Sequence, residues 1–372
     1  MTKALLITPP FTQLNTPYPA TAYLKGFLNT KNISCHQSDL GIEVILELFS
    51  KHRLEEFFSF AFDSQNISSD NAKRIFSLRE NYFTTINTVI SFLQGKNQTL
   101  ARIICTDNFL PRASRFEQLD ELEWAFGAMG MQDKAKHLAT LYLEDISDFI
   151  IECIDSNFGF SRYAESIGKS ANSFDELYHE LSLDLSYIDS ITLEILERKL
   201  DAIKPTLVCL SVPFPGNLFS AFRCAQYIKS NYPNIKIAMG GGFPNTELRD
   251  LKDTRVFEFF DFITLDDGEL PIELILSNLE NQTEENEDFN KFKRTLLLEN
   301  NTVVYNNSSL KTDYKQNNVG TPNYSDLFLD SYISVIEIAN PMHSLWSDGR
   351  WNKLTMAHGC YWGKCSFCDV SL

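Results

Sequence analysis

The chain has 372 residues, 44% of them hydrophobic and 22% charged, with 29 Phe and 14 Tyr; that is enough apolar material for two domains, or for one with a large insertion, and it excludes a low-complexity or disordered protein. Its 33 Lys and Arg against 49 Asp and Glu leave a net charge of −16, which repels phosphate backbones and anionic lipid, so neither nucleic acid nor a membrane surface is an expected partner. The first apolar run, Ala4-Leu5-Leu6-Ile7, is cut by Pro9-Pro10, too short for a signal-peptide core, and no window has the length of a membrane span; a cytoplasmic location is therefore expected.

In chain order, residues 3–8 read as a strand, 9–19 as a proline-rich loop and 20–29 as a helix. Residues 33–37 are the next strand, leading into Asp39-Leu40-Gly41 and a second helix. This βαβ unit predicts a parallel sheet. From about 44 to 203 the pattern is helical almost throughout, with amphipathic stretches at 72–93, 119–129, 133–156 and 174–200; it reads as an all-helical insertion of domain size.

The α/β rhythm then returns. Residues 206–212 form a continuous apolar run, as expected of a strand buried on both faces. A loop through Pro213-Phe214-Pro215-Gly216 and a helix over 218–232 follow. The strand at 235–239 opens directly into Gly240-Gly241-Gly242, and a short helix (247–252), a strand (259–265) and a helix (271–279) complete the pattern. The expected fold class is thus α/β: a doubly wound, five-stranded parallel sheet interrupted by the helical insertion. After a polar stretch at 281–288, residues 295–299 and 303–305 predict a hairpin around Asn300-Asn301, and 306–330 read as a linker. Residues 352–357 read as a further strand. The expected units are 1–43 with 204–290 (α/β), 44–203 (helical), 291–350 (hairpin and linker) and 351–372 (the opening of another domain).

Five of the eight cysteines, Cys35, Cys105, Cys153, Cys209 and Cys224, are scattered through apolar surroundings and read as small core side chains. The other three lie within nine residues, Cys360-x4-Cys365-x2-Cys368. Three thiolates on one turn can each hold one iron of a four-iron cluster and leave the fourth iron open. Gly359 and Gly363 would let the backbone wrap the cubane. A structural zinc site would need a fourth ligand, from His358, His343 or elsewhere. A disulfide would leave one cysteine over, and burial of all three amid Gly, Lys and Ser is improbable. His52, His137 and His179 sit in charged helical surroundings and read as solvated.

The segment from Gly359 to Asp369 resembles the cluster loop of radical S-adenosylmethionine (SAM) enzymes, with Phe367 in the aromatic place before the last cysteine. The usual spacing is C-x3-C-x2-C; one extra residue separates Cys360 from Cys365 here, which leaves the subfamily open. The preceding α/β region is similar to the cobalamin-binding (B12) domain found before many radical SAM barrels, carried by Ser211 after the third strand, Gly240-Gly241-Gly242 after the fourth and Asp266-Asp267-Gly268-Glu269 after the fifth. The resemblance implies a [4Fe–4S] cluster on Cys360, Cys365 and Cys368, SAM beside Phe367, and cobalamin near Ser211, Gly240, Gly241, Gly242 and Asp39. It also implies an electron donor such as flavodoxin or ferredoxin as partner, reductive cleavage of SAM to a 5′-deoxyadenosyl radical, and a radical modification, such as methylation, of a substrate.

Where cobalamin domains with a lower histidine ligand carry Asp-x-His-x-x-Gly, this chain reads Asp39-Leu40-Gly41-Ile42-Glu43, and His36 lies on the wrong side of the motif. A cobalamin bound here is therefore expected to have no histidine on its lower face. The loop through Asn15 and Tyr18 lies at the same sheet edge and could touch the corrin. Since the ligand loop follows a strand and lies four residues before Leu372, the resemblance further implies a fragment: the opening strand of a barrel whose remainder lies beyond this sequence, inactive alone. The competing expectation is a non-catalytic cobalamin-binding or regulatory α/β module ending in a structural metal knuckle. A radical SAM enzyme using its α/β region only for docking is a further alternative.

Overall fold

A computed structural model describes residues 3–106, 108–117, 130–160, 174–280 and 291–335. Its frame is a seven-stranded mixed sheet in the order β2-β1-β3-β4-β5-β6-β7. The strands are β1 (Lys3–Thr8), β2 (Ser34–Asp39), β3 (Leu207–Ser211), β4 (Lys236–Gly240), β5 (Phe262–Thr264), β6 (Thr295–Glu299) and β7 (Thr302–Asn306). The first five run parallel, as the apolar runs predict. The predicted hairpin does not stand apart: β6 pairs antiparallel with β5, and β7 with β6, extending the sheet from five strands to seven. Asn300 and Asn301 both take positive φ (48° and 59°), the backbone that a tight two-residue hairpin turn demands and that Asn tolerates.

The helices among the described residues are, in chain order, α1 (Ala20–Thr30), α2 (Leu40–Leu48), α3 (Lys51–Asp63), α4 (Asp70–Ser77), α5 (Arg79–Leu93), α6 (Ala101–Ile104), α7 (Gly130–Cys153), α8 (Asp175–Ser182), α9 (Tyr187–Ile203), α10 (Leu218–Asn231), α11 (Gly242–Glu247) and α12 (Glu269–Glu280). Two stretches that read as single helices are each broken. The 72–93 stretch divides at Leu78. The 174–200 stretch divides before Ser186, whose hydroxyl accepts from the Asp189 N–H while the Asp189 carboxylate accepts in return from the Ser186 N–H. This capping box starts a new helix where hydrophobic period alone shows no break.

Alternation along the strands separates two cores. Leu5, Ile7, Val208, Leu210, Ile237, Met239 and Ile263 face one side, where α2, α10 and the helices α3–α9 share one continuous apolar cluster with the sheet. The helical region is therefore a thick layer built on the sheet, bound by stacked rings such as Phe58 on Phe149, 4.3 Å between centroids. Ala4, Leu6, Cys35, Leu207, Cys209 and Ala238 face the other side, covered by Phe27 and Leu28 of α1 and Ile272, Ile275 and Leu276 of α12.

The segment that reads as a linker is instead held along the fold. Thr321 O lies where a Cβ on Gly26 would be, and the Asn323 N–H donates to Ala22 O at 2.8 Å. Buried Lys25 pairs with Asp326 and donates to Ser325 Oγ at 2.8 Å. Gln37 Nε2 donates to Asn323 O and Ser325 O, both at 2.7 Å. Further on, the Ile333 N–H donates to Leu14 O at 2.9 Å and the Ser334 N–H to Leu93 O at 2.8 Å. Residues 319–335 thus form a strap across α1, the tip of β2 and the helical layer.

Candidate functional site

Strand order reverses between β1 and β3: the chain goes outward from β1 to β2, then returns to place β3 on the other side of β1. Crossover helices leave such a point on opposite faces, opening a crevice at the carboxyl ends of the strands where ligands of doubly wound sheets bind. Here the crevice is a cleft of about 400 Å³ on the thinly covered face, between the start of α1 and the start of α12. Its floor is Leu6, Cys209, Ser211, Ala238, Gly240 and Thr264, all but Leu6 small. Tyr18, Pro19 and Thr21 form one wall, Gly268, Glu269 and Ile272 the other, with Asn245 and Asp266 at the rim. Such a volume falls within the range of about 300–1,000 Å³ usual for small-molecule sites.

Four of the residues singled out from sequence, Ser211, Gly240, Gly241 and Gly242, meet at this cleft. Ser211 pairs in register with Gly240. One position beyond the paired Ile7 and Leu210, Thr8 lies beside Ser211, and one beyond Met239 and Ile263, Thr264 lies beside Gly240. The strand tips therefore carry a row of small polar residues. Thr264 Oγ1 donates to Met239 O at 3.3 Å, whereas Thr8 Oγ1 and Ser211 Oγ are buried without a protein partner. A buried hydroxyl in that state costs about 1–3 kcal/mol, a cost that a ligand atom removes. Thr264 lies on the cleft floor and Thr8 beside Ser211, outside the lining; strand register is the signal that finds both.

The glycines have an internal reason to be glycine. Gly241 sits at φ +111°, and a Cβ there would fall 2.6 Å from Val212 O; one on Gly242 would fall 2.7 Å from Pro213 O. The loop after β4 is packed backbone to backbone on the loop after β3, with the Val212 N–H donating to Gly240 O at 2.7 Å and the Phe243 N–H to Val212 O at 3.0 Å. Close approach thus occurs, between two strand-end loops rather than between a loop and open space. Asn217 Nδ2 donates to Pro9 O at 3.0 Å, joining the loop after β3 to the loop after β1.

At the acidic rim Asp266 takes positive φ (59°), pairs with Arg249, and donates its backbone N–H to Asn245 Oδ1 at 2.6 Å. Arg294 Nη2 donates to Asp267 O at 3.0 Å. The turn before α12 is therefore rigid and its Asp266 charge is compensated. Cys209, on the floor, has its thiol raised by burial, as does Cys35; both are protonated core thiols rather than nucleophiles.

Asp39 does not line the cleft. It caps α2 through Gly41 N at 2.9 Å and accepts the Tyr332 hydroxyl at 2.7 Å from the strap. Burial, outweighing those two hydrogen bonds, pushes its carboxyl up to about 6. His36 lies 3.7 Å from Asp326 in the strap. Of the proline-rich loop, Tyr18 reaches the cleft wall and Asn15 is buried away from it. His137, which reads as solvated, is buried.

Cys360, Cys365, Cys368 and Phe367, with the expected strand at 352–357, lie outside the described residues. Among the described residues no three His, Cys, Asp or Glu side chains converge on a point where a metal ion could sit, and no helix is long and apolar enough to cross a membrane. The chain matches no protein-family model, no curated protein and no solved structure.

Proposed function

We propose that this chain is the front part of a cobalamin-binding radical SAM enzyme. In this reading the cleft beside Ser211 receives the nucleotide tail of cobalamin, and the Cys360, Cys365 and Cys368 loop holds a [4Fe–4S] cluster with SAM beside Phe367. The observation that carries the reading is the cleft itself. It lies at the carboxyl ends of the strands at the switch point, is floored by small side chains, and holds the orphaned hydroxyl of Ser211. Ser211 would donate to or accept from the buried end of the tail, and Tyr18 with the loop after β4 would exclude water around it. Cobalamin would supply a methyl carrier and the cluster one electron, while the protein orients both and keeps water out. Asp39 is committed to α2 and Tyr332, which accords with a corrin that takes no ligand from this motif.

The glycines favour a second reading. Because Gly241 and Gly242 are explained by the Val212–Pro213 backbone, the α/β region could keep this geometry for folding alone, with the cysteines forming a structural metal knuckle. Titrating the full chain with hydroxocobalamin separates the two. Saturable binding, weakened at least about tenfold in Ser211→Val, whose larger side chain intrudes on the cleft floor, is expected; absence of binding heat and spectral change favours the second reading. For the cluster, anaerobic reconstitution with iron and sulfide is expected to give a brown species lost in Cys365→Ala. Full iron retention in that variant would sink the ligand assignment.

A further inference from the structure

The loop after β3 is hydrogen-bonded to the loops after β1 and β4, yet it leaves one large apolar side chain in water. Across residues 211–220 only Phe214 is exposed, at 54%. Its backbone is fixed on both sides: Val212 is hydrogen-bonded to Gly240 and Phe243, the Asn217 N–H donates to Phe214 O at 3.1 Å, and Pro213 and Pro215 flank it. With its backbone so held, Phe214 presents its ring at the surface. The ring stands edge-on to Tyr18, with centroids 5.9 Å apart and planes at 80°, and Tyr18 is itself part of the cleft wall.

A lone exposed phenylalanine is ordinary on a protein surface. This one sits on a hydrogen-bonded loop and is paired with a residue of the cleft wall. An aromatic ring fixed before binding loses little conformational freedom when covered, which is why such side chains dominate binding energy at interfaces.

We propose that Phe214, backed by Tyr18, is a binding residue of this site that contacts the flat apolar ring system of the ligand outside the cleft, while the cleft holds its narrower tail. The proposal rests on the cobalamin reading, in which that ring system is the corrin. Phe214 then determines affinity for the macrocycle independently of the tail.

The test uses the full chain with two probes, hydroxocobalamin and cobinamide, which keeps the corrin and lacks the nucleotide. Phe214→Ala is expected to weaken both by a similar factor, on the order of tenfold. Phe214→Tyr, which keeps the ring, is expected to bind as the wild type does. The thermal midpoint of Phe214→Ala should stay close to that of the wild type, since an exposed ring contributes little to the core. Wild-type affinity of Phe214→Ala for both probes overturns this proposal and leaves the cleft reading standing, and so does a lowered midpoint with unchanged affinity. Failure of the wild type to bind hydroxocobalamin overturns the cobalamin reading and this proposal together.

Discussion

The two faces of the sheet are built from different side chains and serve different ends. One face presents Leu, Ile, Val and Met to a layer of helices rich in Phe and Tyr, and its core has no interruption from the sheet to the outermost packed rings. The other presents Ala4, Leu6, Cys35, Leu207, Cys209 and Ala238 to two helices, with Phe292 and Val319 beside them, and at the carboxyl edge it falls away into the cleft. Small floor residues leave space, and two helices diverging from a switch point leave it open. The stability of the protein is thus concentrated on the face opposite its candidate site.

Substitutions on the two faces should measure this difference. Phe58 and Phe149 are buried and stacked in the helical layer, so Phe58→Ala should cost about 3–5 kcal/mol in urea unfolding, against about 1 kcal/mol for Cys209→Ala on the cleft floor. Equal losses at the two positions would break the comparison. Next in size is Gly241→Ala, which combines a positive φ with a backbone oxygen 2.6 Å from the new Cβ. A loss of about 2–3 kcal/mol is expected, with distortion of the cleft. A neutral result would show that the loops after β3 and β4 can separate.

The smallest effect is a pH dependence at the border of the two regions. Folding raises the Asp39 carboxyl to about 6, above its unfolded value, so the folded state binds this proton more tightly and Asp39 contributes stability as pH falls through 6. Asp39→Asn removes that proton site. The stability of the wild type relative to the variant should therefore rise by about 1.4 kcal/mol between about pH 8 and about pH 5. A constant difference between the two proteins across that range would remove the shift.

Much of the frame is legible in sequence because buried parallel strands are continuous apolar runs. The strand expected at 3–8 is β1 to the residue, and the run at 206–212 exceeds β3 by one residue at each end. The role of the hairpin was less legible, since residues 295–305 look alike whether they pair with each other alone or also with β5. The Ser186 capping box was written in the sequence but masked by apolar residues on both sides of it. At the site, Ser211 and the glycines could be named from their order after strands, whereas Tyr18 and Phe214 meet only through a contact between loops nearly two hundred residues apart, which no local pattern encodes. The strap reads as a linker because its Asn, Ser and Asp residues have the composition of one; Asp326, Ser325 and the Asn323 and Ser325 carbonyls in fact satisfy Lys25 and Gln37, and the Tyr332 hydroxyl reaches Asp39.

That strap sets a schedule for folding. Asp39 and Tyr332 are 293 residues apart, and at ribosomal rates of about 5–20 residues per second the first waits roughly 15–60 s for the second. Throughout that interval a nascent chain would hold β1, β2 and α1 with Lys25, Gln37 and Asp39 still turned to water or to other proteins. Its amino-terminal third keeps those groups open until residues 319–335 arrive, and the late closure over α1 makes the wall of the cleft a late part of the fold to set.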